Sequence, residues 1–227
     1  MGKKTKAIKV TDKGKPWEKR KNNYQYKTVR SVNKTLLIVC EGQTEEWYFS
    51  KFPVVSLSVR CVNLRGQSKL NLVGATEEIV RNDEYIFDEV WCVFDMDIRD
   101  IDKDFANFNN AIEKAKNLNY NVAYSNDCFE LWLLLHYKEV QSTHNRDYYY
   151  TELSKYFKLN YVKDGKKIDF CKRLYILLRD DNCASEKKAI ERAKKLYLSQ
   201  QHLPYHQQKP VTLVYQLVCL LNEYKRE

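Results

Sequence analysis

Residues 35–42 read TLLIVCEG and residues 89–97 read EVWCVFDMD, and these two stretches decide the fold. Each is a continuous, partly β-branched apolar run that ends in an acidic residue, which is typical of a buried strand running into a turn. Two further strands are predicted at Ser58–Leu64 and Asn121–Ser125. Because helical patterns separate these strands, we expect an α/β fold, a mostly parallel sheet of about four strands covered by helices.

The helices are predicted from apolar residues that recur with helical periodicity. Between and directly after the strands they cover residues 44–52, 70–81, 106–118 and 128–136. From about residue 147 onward only helices are predicted, over residues 148–157, 172–178, 185–198 and 211–224. The sequence therefore predicts an α/β core that is followed by an all-helical C-terminal elaboration.

Charge is distributed unevenly along the 227 residues. Residues 1–34 contain 12 Lys and Arg against two acidic residues, a net charge of +10, whereas the remainder carries −1. We divide the chain into a basic, flexible arm (1–33), a core (34–146) and a helical part (147–227). The arm could lie along phosphates, with Lys3 and Lys4 as contacts, or could simply be a solubilising terminus.

Several classes of protein are excluded by composition. No apolar run approaches the roughly 20 residues that a membrane span needs, and the N-terminus has no secretory pattern. The seven cysteines are odd in number and contain no CxxC pair, which is typical of a reduced protein without a zinc site. The phosphate-binding pattern GxxxxGK[ST] is absent. We therefore expect a cytoplasmic protein that neither enters a membrane nor binds ATP through that motif.

Acidic residues follow three of the predicted strands. Glu41 ends the first, Asp95 and Asp97 end the third, and Glu130 follows the fourth, while Glu45 lies in the first turn of the helix after Glu41. Ligands of open α/β sheets bind outside the carboxyl ends of the strands. Carboxylates gathered there would repel each other unless a cation lay among them, and hard oxygen ligands suit Mg²⁺ or Mn²⁺. The pattern predicts a cation site at this edge.

Each acidic residue also has a structural interpretation. In extended chain Asp95 and Asp97 point to the same side and could share an ion, but they could equally lie in a solvated loop. Glu45 could be favoured by the helix dipole alone. Asp127 and Glu130 have the spacing of a capping box, which would explain Glu130 without any ligand.

Three motifs occur in order, each at a predicted strand end: EGQTEEWYF (41–49), VWCVFDMD (90–97) and AYSNDCFELWLLLH (123–136). With them the chain resembles the Toprim-like RloB or AbiLii family, small proteins of bacterial phage-defence and restriction-linked loci related to OLD-type nucleases. The resemblance covers residues 35–137 and continues weakly through 161–163 and 210–212. Where the family usually has Asn-Pro, this chain has Asn126-Asp127, which should alter only the turn.

The resemblance implies a metal-dependent Toprim nuclease that hydrolyses phosphodiester bonds in DNA or in structured RNA such as tRNA. Glu41, Asp95 and Asp97 match the residues that hold Mg²⁺ in Toprim domains. Glu45 and Glu130 would complete a second metal site, so that two ions are bound, with Ser125 nearby. Lys163 would correspond to a lysine that OLD-type nucleases supply from the C-terminal side.

The resemblance also implies partners. Family members are often encoded beside an ABC or AAA-type ATPase, and nucleic acid would be held by Arg65 and Lys69 together with Lys3 and Lys4 of the arm. The alternative is a toxin-like or regulatory subunit without catalytic activity, whose acidic cluster binds a cation structurally and which docks onto that ATPase. Self-association is left open by the sequence.

Overall fold

The computed structural model describes residues 33–65, 68–97 and 101–225, with only the backbone of 101–103. Within these ranges there is one sheet of five strands in the order β2-β1-β3-β4-β5. Its first four strands are parallel, and β5 runs antiparallel to β4. The strands are β1 (Lys34–Cys40), β2 (Leu57–Asn63), β3 (Glu89–Asp95), β4 (Asn121–Asn126) and β5 (Val211–Thr212).

Nine α-helices flank and follow the strands in the described part of the chain. Those of the first half are α1 (Gln43–Ser50), α2 (Lys69–Asn82), α3 (Ile101–Asn117) and α4 (Glu130–Leu135). Those of the second half are α5 (Arg146–Phe157), α6 (Tyr161–Asp164), α7 (Ile168–Asp180), α8 (Glu186–Gln200) and α9 (Val214–Glu223).

The predicted α/β fold with a mostly parallel sheet is confirmed. One element is wrong: the helix predicted over residues 211–224 begins only at Val214, and residues 211–212 form β5 instead. Thr212 pairs with Ser125 of β4, and the Leu213 N–H donates to the Tyr124 carbonyl over 2.8 Å. The C-terminal part is therefore not helices alone, since it supplies the edge strand of the sheet.

A single hydrophobic core joins the two predicted parts of the chain. Residues 36–40 of β1 and 131–135 of α4 are at most 1% exposed, and they belong to the same cluster as Leu174 of α7 and Leu217 of α9. Helix α7 packs on α1, where the rings of Tyr48 and Tyr175 meet edge to face with centroids 5.7 Å apart. Helix α7 of the C-terminal part therefore fixes the position of α1, which begins two residues after Glu41.

The predictions on cysteines and membrane spans can be compared with the structure. All seven cysteines are free thiols, and four of them are buried (Cys40, Cys92, Cys128 and Cys171). None of the helices in the described residues is long and apolar enough to cross a membrane.

His136, which follows α4, should make the fold sensitive to acid. Its side chain is buried, and its Nδ1 lies 3.0 Å from the Trp132 carbonyl oxygen. Burial lowers its pKa from 6.5 to about 4. The unfolded chain therefore takes up a proton near pH 6.5 that the folded chain refuses, and stability present above that pH is lost as the pH falls towards 4.

We expect this histidine to remove about 2 to 3 kcal/mol from the free energy of unfolding between pH 7 and roughly pH 4.5. Urea denaturation at both pH values measures the loss in the wild type and in His136→Gln, whose side chain does not titrate. The variant should lose less on acidification by that amount, because all other groups titrate alike in both proteins. Equal losses would show that His136 is not responsible.

Candidate functional site

A pocket of about 720 Å³ opens at the carboxyl ends of β1 and β3. Four of the predicted acidic residues line it: Glu41, Glu45, Asp95 and Asp97. Glu130, the fifth, is buried close enough to raise the pKa values of Glu45 and Asp95 electrostatically. The structure thus brings the predicted acids into one neighbourhood.

The pairing of β1 with β3 places the first two carboxylates together. Cys40 lies opposite Val93, and the Glu41 N–H donates to the Val93 carbonyl over 2.9 Å. The Asp95 N–H in turn lies 3.3 Å from Glu41 Oε2, which accepts it. Glu41 therefore leans across the strand end towards the backbone of Asp95.

Glu45 is folded back over the start of α1. Only 5% of it is exposed, and a Cβ atom on Gly42 would lie 2.6 Å from its Oε2. Gly42 has extended backbone, so its role is to leave space rather than to permit a special conformation. Burial raises the pKa of Glu45 to about 7, with Glu130 and Glu41 adding to the shift and Lys166 opposing it. The charged form of Glu45 is therefore disfavoured by its surroundings.

Asp97 differs from its expected conformation. Strand β3 ends at Asp95, and Asp97 has a φ of 41°, in the left-handed region that few residues other than glycine adopt. The two aspartates therefore do not lie in one extended segment, and Met96 between them is fully buried. Asp97 Oδ1 lies 3.2 Å from a guanidinium nitrogen of Arg146, at the start of α5.

Glu130 is the most buried acid of the group, with 1% of its surface exposed. Its Oε1 pairs with Lys166 and accepts a 3.3 Å hydrogen bond from the Tyr161 hydroxyl, whereas its Oε2 is buried without a hydrogen-bond partner. Burial alone would raise the pKa of Glu130, but Lys166 outweighs it and the pKa is lowered. Glu130 is therefore a charged carboxylate, and one of its two oxygens makes no hydrogen bond.

The capping box considered for Glu130 is not formed. Helix α4 begins at Glu130 itself, and its N-cap residue Phe129 makes no side-chain capping bond. Asp127 pairs with Lys209 over 3.3 Å instead. The structural explanation of Glu130 thus fails, and its burial beside Lys166 needs another reason.

Of the two C-terminal lysines Lys163 and Lys166, only Lys166 lines the pocket. Lys163 lies on α6 with an exposed side chain and does not line the pocket, whereas Lys166 does. The Lys166 carbonyl accepts a 2.6 Å hydrogen bond from the Gln43 side chain, which ties this loop to the start of α1. Gly165, the residue before Lys166, leaves space for the Tyr161 carbonyl oxygen, from which a Cβ atom would lie only 2.6 Å.

The other residues predicted for the site lie partly inside it and partly elsewhere. Arg65 lines the pocket, and Lys69 is buried with its Nζ 3.4 Å from Glu41 Oε1, inside the site rather than on an outer surface. The Ser125 hydroxyl lies 2.9 Å from that of Thr212 in β5. Lys3 and Lys4 lie outside the described residues.

The donor set can be tested for its fit to a metal ion. Among the described residues, no group of three His, Cys, Asp or Glu side chains is arranged so that it could hold a metal in this conformation. The chemistry nevertheless suits Mg²⁺ or Mn²⁺, because the donors are carboxylates and Glu130 keeps a buried, unpartnered oxygen. Burial and neighbouring carboxylates also raise the pKa of Asp95 well above its usual value. The present ion pairs would have to open before these carboxylates could hold a hard cation.

A mostly parallel sheet with carboxyl groups gathered at its carboxyl edge defines an α/β protein with an acidic pocket. Residues 36–221 match the family described as RloB-like protein. This match covers most of the chain, which therefore belongs to the RloB-like family. No match to the chain was found among the curated proteins or among the solved structures.

Gly42→Ala should separate the geometry of the site from the stability of the fold. The new methyl group would collide with Glu45 Oε2, the end of a flexible side chain, so the carboxylate should move while the extended backbone stays. We expect Mn²⁺ affinity to fall roughly tenfold, a loss of about 1.4 kcal/mol. Isothermal titration calorimetry measures it, and urea unfolding should change by less than about 1 kcal/mol.

The matched control is Gly74→Ala on α2, where the added Cβ meets only Lys114 Nζ at 3.4 Å. Alanine in a helix interior should leave Mn²⁺ affinity unchanged and stabilise the fold slightly. Unchanged Mn²⁺ binding in Gly42→Ala would show that the position of Glu45 is irrelevant to the cation.

Proposed function

We propose that this protein is a Mg²⁺- or Mn²⁺-dependent nuclease that hydrolyses phosphodiester bonds in DNA or in structured RNA such as tRNA. The observation that carries the proposal is the convergence of carboxylates from β1, α1 and β3 on one pocket whose wall also includes Arg65, Arg146 and Lys166. Acidic ligands beside cationic side chains are what a phosphodiester and its metal ions require. The resemblance of the three motifs to Toprim and OLD-type nucleases supports the same activity, in defence against phage.

The acidic residues would hold two ions. Glu41, Asp95 and Asp97 would hold one, and Glu45 with Glu130 would hold the other. When bound, the ions supply a water of lowered pKa as the nucleophile and stabilise the leaving 3′ oxygen.

The chain's own side chains orient the substrate and balance its charge. Arg65 and Arg146, which line the pocket, would hold phosphates on either side of the scissile bond, contacts that carry no sequence information. Lys166 would offset the negative charge that develops on the reacting phosphate.

A second candidate is a regulatory subunit that binds a cation structurally and docks onto a partner ABC or AAA-type ATPase. The observation that favours it is a groove of about 590 Å³ between the end of α5 and the outer face of α7, whose lining combines apolar with charged residues. Tyr156, Phe157, Phe170 and Ile176 line it, and Ile176 is 39% exposed. Such a surface suits a protein partner.

A cleavage assay separates the two functions. The purified protein, alone and with its neighbouring ATPase and ATP, is incubated with DNA, tRNA or total RNA in Mg²⁺, in Mn²⁺ or in EDTA. We expect fragments that require the divalent cation and disappear in EDTA. Intact substrates in every arm, together with ATPase binding that responds to Asp95→Asn, would leave the docking subunit as the function.

A further inference from the structure

Three cations of the protein already occupy the carboxylates of the candidate site. Each comes from a different element and each is paired with a different acid. The pairs are Lys69 with Glu41 (3.4 Å), Arg146 with Asp97 (3.2 Å) and Lys166 with Glu130. Helix α2 supplies the first cation, α5 the second and the loop between α6 and α7 the third.

The ion pairs among the described residues engage only some of the carboxyl groups. Glu45 and Asp95, whose pKa values are raised, form no such pair, and Glu130 retains a buried oxygen without a hydrogen-bond partner. The three cations are thus paired with three of the five acids. They also hold oxygens that a divalent cation would need, because an oxygen engaged with an ammonium or guanidinium group is a poorer metal ligand.

Two of the three cations have partly exposed side chains. The side chain of Lys166 is 46% exposed and that of Arg146 is 36% exposed, and both line the pocket. A side chain released there would face the pocket, where a phosphate group could accept its hydrogen bonds. Lys69 is more enclosed, with 10% of its side chain exposed.

We infer that Lys166 and Arg146, assisted by Lys69, are exchangeable counter-ions: a divalent cation displaces them from the carboxylates and they then bind the phosphate of a nucleic acid. This inference rests on the proposed metal site and adds a coupling between its two ligands. The divalent cation and the phosphate therefore bind with positive cooperativity. The divalent cation releases the lysine and arginine side chains that bind the phosphate, and the phosphate draws these side chains away from the carboxylates that bind the divalent cation. The coupling is reciprocal, as every binding linkage is.

The sign of the coupling distinguishes it from ordinary salt effects. Added cations normally weaken the binding of proteins to nucleic acids, because they compete for the phosphates. Exchange predicts the opposite, tighter binding of the nucleic acid when the divalent cation is present. Coupling between two sites typically changes an affinity about 5- to 150-fold.

The experiment measures the fluorescence anisotropy of a dye-labelled oligothymidylate of about 12 nucleotides, a length that a single-strand site accommodates. Binding is compared in EDTA and in Ca²⁺, which takes the same oxygen ligands as Mg²⁺. Ionic strength is held constant, and electrophoresis verifies that the oligonucleotide stays intact. We expect Ca²⁺ to lower the Kd at least about fivefold. An unchanged or raised Kd would overturn the inference.

Two competitors identify the source of the phosphate. An oligonucleotide with uncharged methylphosphonate linkages should show no Ca²⁺-dependent tightening, because it offers no anion to the released cations. Inorganic phosphate should compete only weakly if a polynucleotide backbone is the ligand, and strongly if the site takes free phosphate. Tightening with the methylphosphonate as well would overturn the role of phosphate charge.

Substitution of the counter-ions gives the second readout. In Lys166→Met the carboxylate of Glu130 no longer has its lysine partner. Calorimetry without nucleic acid should therefore show Ca²⁺ binding that is about fivefold tighter or more. The coupling between Ca²⁺ and nucleic-acid binding should decrease. Arg146→Met, whose partner Asp97 is partly exposed, should show the same direction and covers the case in which Lys166→Met fails to fold. Lys163→Met, exposed and outside the pocket, is the control. Weaker Ca²⁺ binding in both folded variants would overturn the inference.

The outcome can be separated from that of the nuclease proposal. Cooperative binding without cleavage of any substrate would support the exchange and refute the nuclease. Metal-dependent cleavage without cooperative binding would support the nuclease and refute the exchange.

Discussion

Asp95→Asn is expected to abolish the metal-dependent cleavage of nucleic acid, with a loss of at least about 100-fold in rate, as when a group that stabilises transition-state charge is removed. Asparagine keeps the shape of the side chain but removes the anionic oxygen that would hold the ion. The fold should not suffer, because burial, together with the charges of Glu45 and Glu130, already raises the pKa of Asp95 well above its usual value. Initial rates and urea unfolding measure the two effects, and Glu41→Gln should behave alike.

The control for this prediction is Asp180→Asn at the end of α7. Asp180 is exposed and pairs with its neighbour Arg179, far along the chain from the acidic edge. The Asp180→Asn variant should keep full activity. Cleavage by Asp95→Asn at the wild-type rate would remove Asp95 from the mechanism, whereas loss of activity with loss of the fold would place its role in stability.

Trp132→Ala is expected to destabilise the fold by about 3 to 5 kcal/mol, the usual cost of truncating a large buried aromatic side chain. Trp132 on α4 is fully buried, and its indole N–H donates to the Tyr48 hydroxyl of α1 over 2.9 Å. The substitution would leave a cavity between these two helices and an unpaired hydroxyl. Such a loss is a large share of the 5 to 15 kcal/mol that typical proteins possess.

Circular dichroism during urea denaturation measures this effect. Trp47→Ala is the matched control, since Trp47 is half-buried and lies over the pocket side of α1, where Lys172 lies 4.9 Å from its ring. It should cost less than about 1 kcal/mol. A similar loss in both variants would show that the contact between α1 and α4 is not a main source of stability.

The main strands could be predicted because their signals are local. Residues 36–40 are apolar on both faces since the strand is buried on both faces, and Glu41 marks its end. The two residues of β5 carry no such signal, because their strand character comes from Ser125 and Asn126, more than 80 positions away in the chain. The helical pattern of α9 simply extended over them.

The site was predictable in its acids and only partly in its cations, since Arg65 and Lys69 were predicted but Lys166 and Arg146 were not. Glu41, Asp95 and Glu130 each stand beside an apolar run, where a carboxylate is conspicuous. Lys166 is one of several lysines in the segment KDGKK, and only the fold distinguishes it from Lys163. The capping box inferred from the spacing of Asp127 and Glu130 was wrong for the same reason, because the actual partner of Asp127 is Lys209, which is distant in sequence. The assignment of the acids as metal ligands stays a prediction.

The edge strand β5 has a consequence for how the protein is made. Strand β4 is synthesised some 85 residues before β5, and until β5 emerges from the ribosome the main-chain groups of β4 on that side have no strand to bind. An unpaired edge of this kind can pair with another chain. Nascent chains that have passed the acidic motifs but not the last helix lack this pairing, and we expect them to aggregate more readily than the full chain.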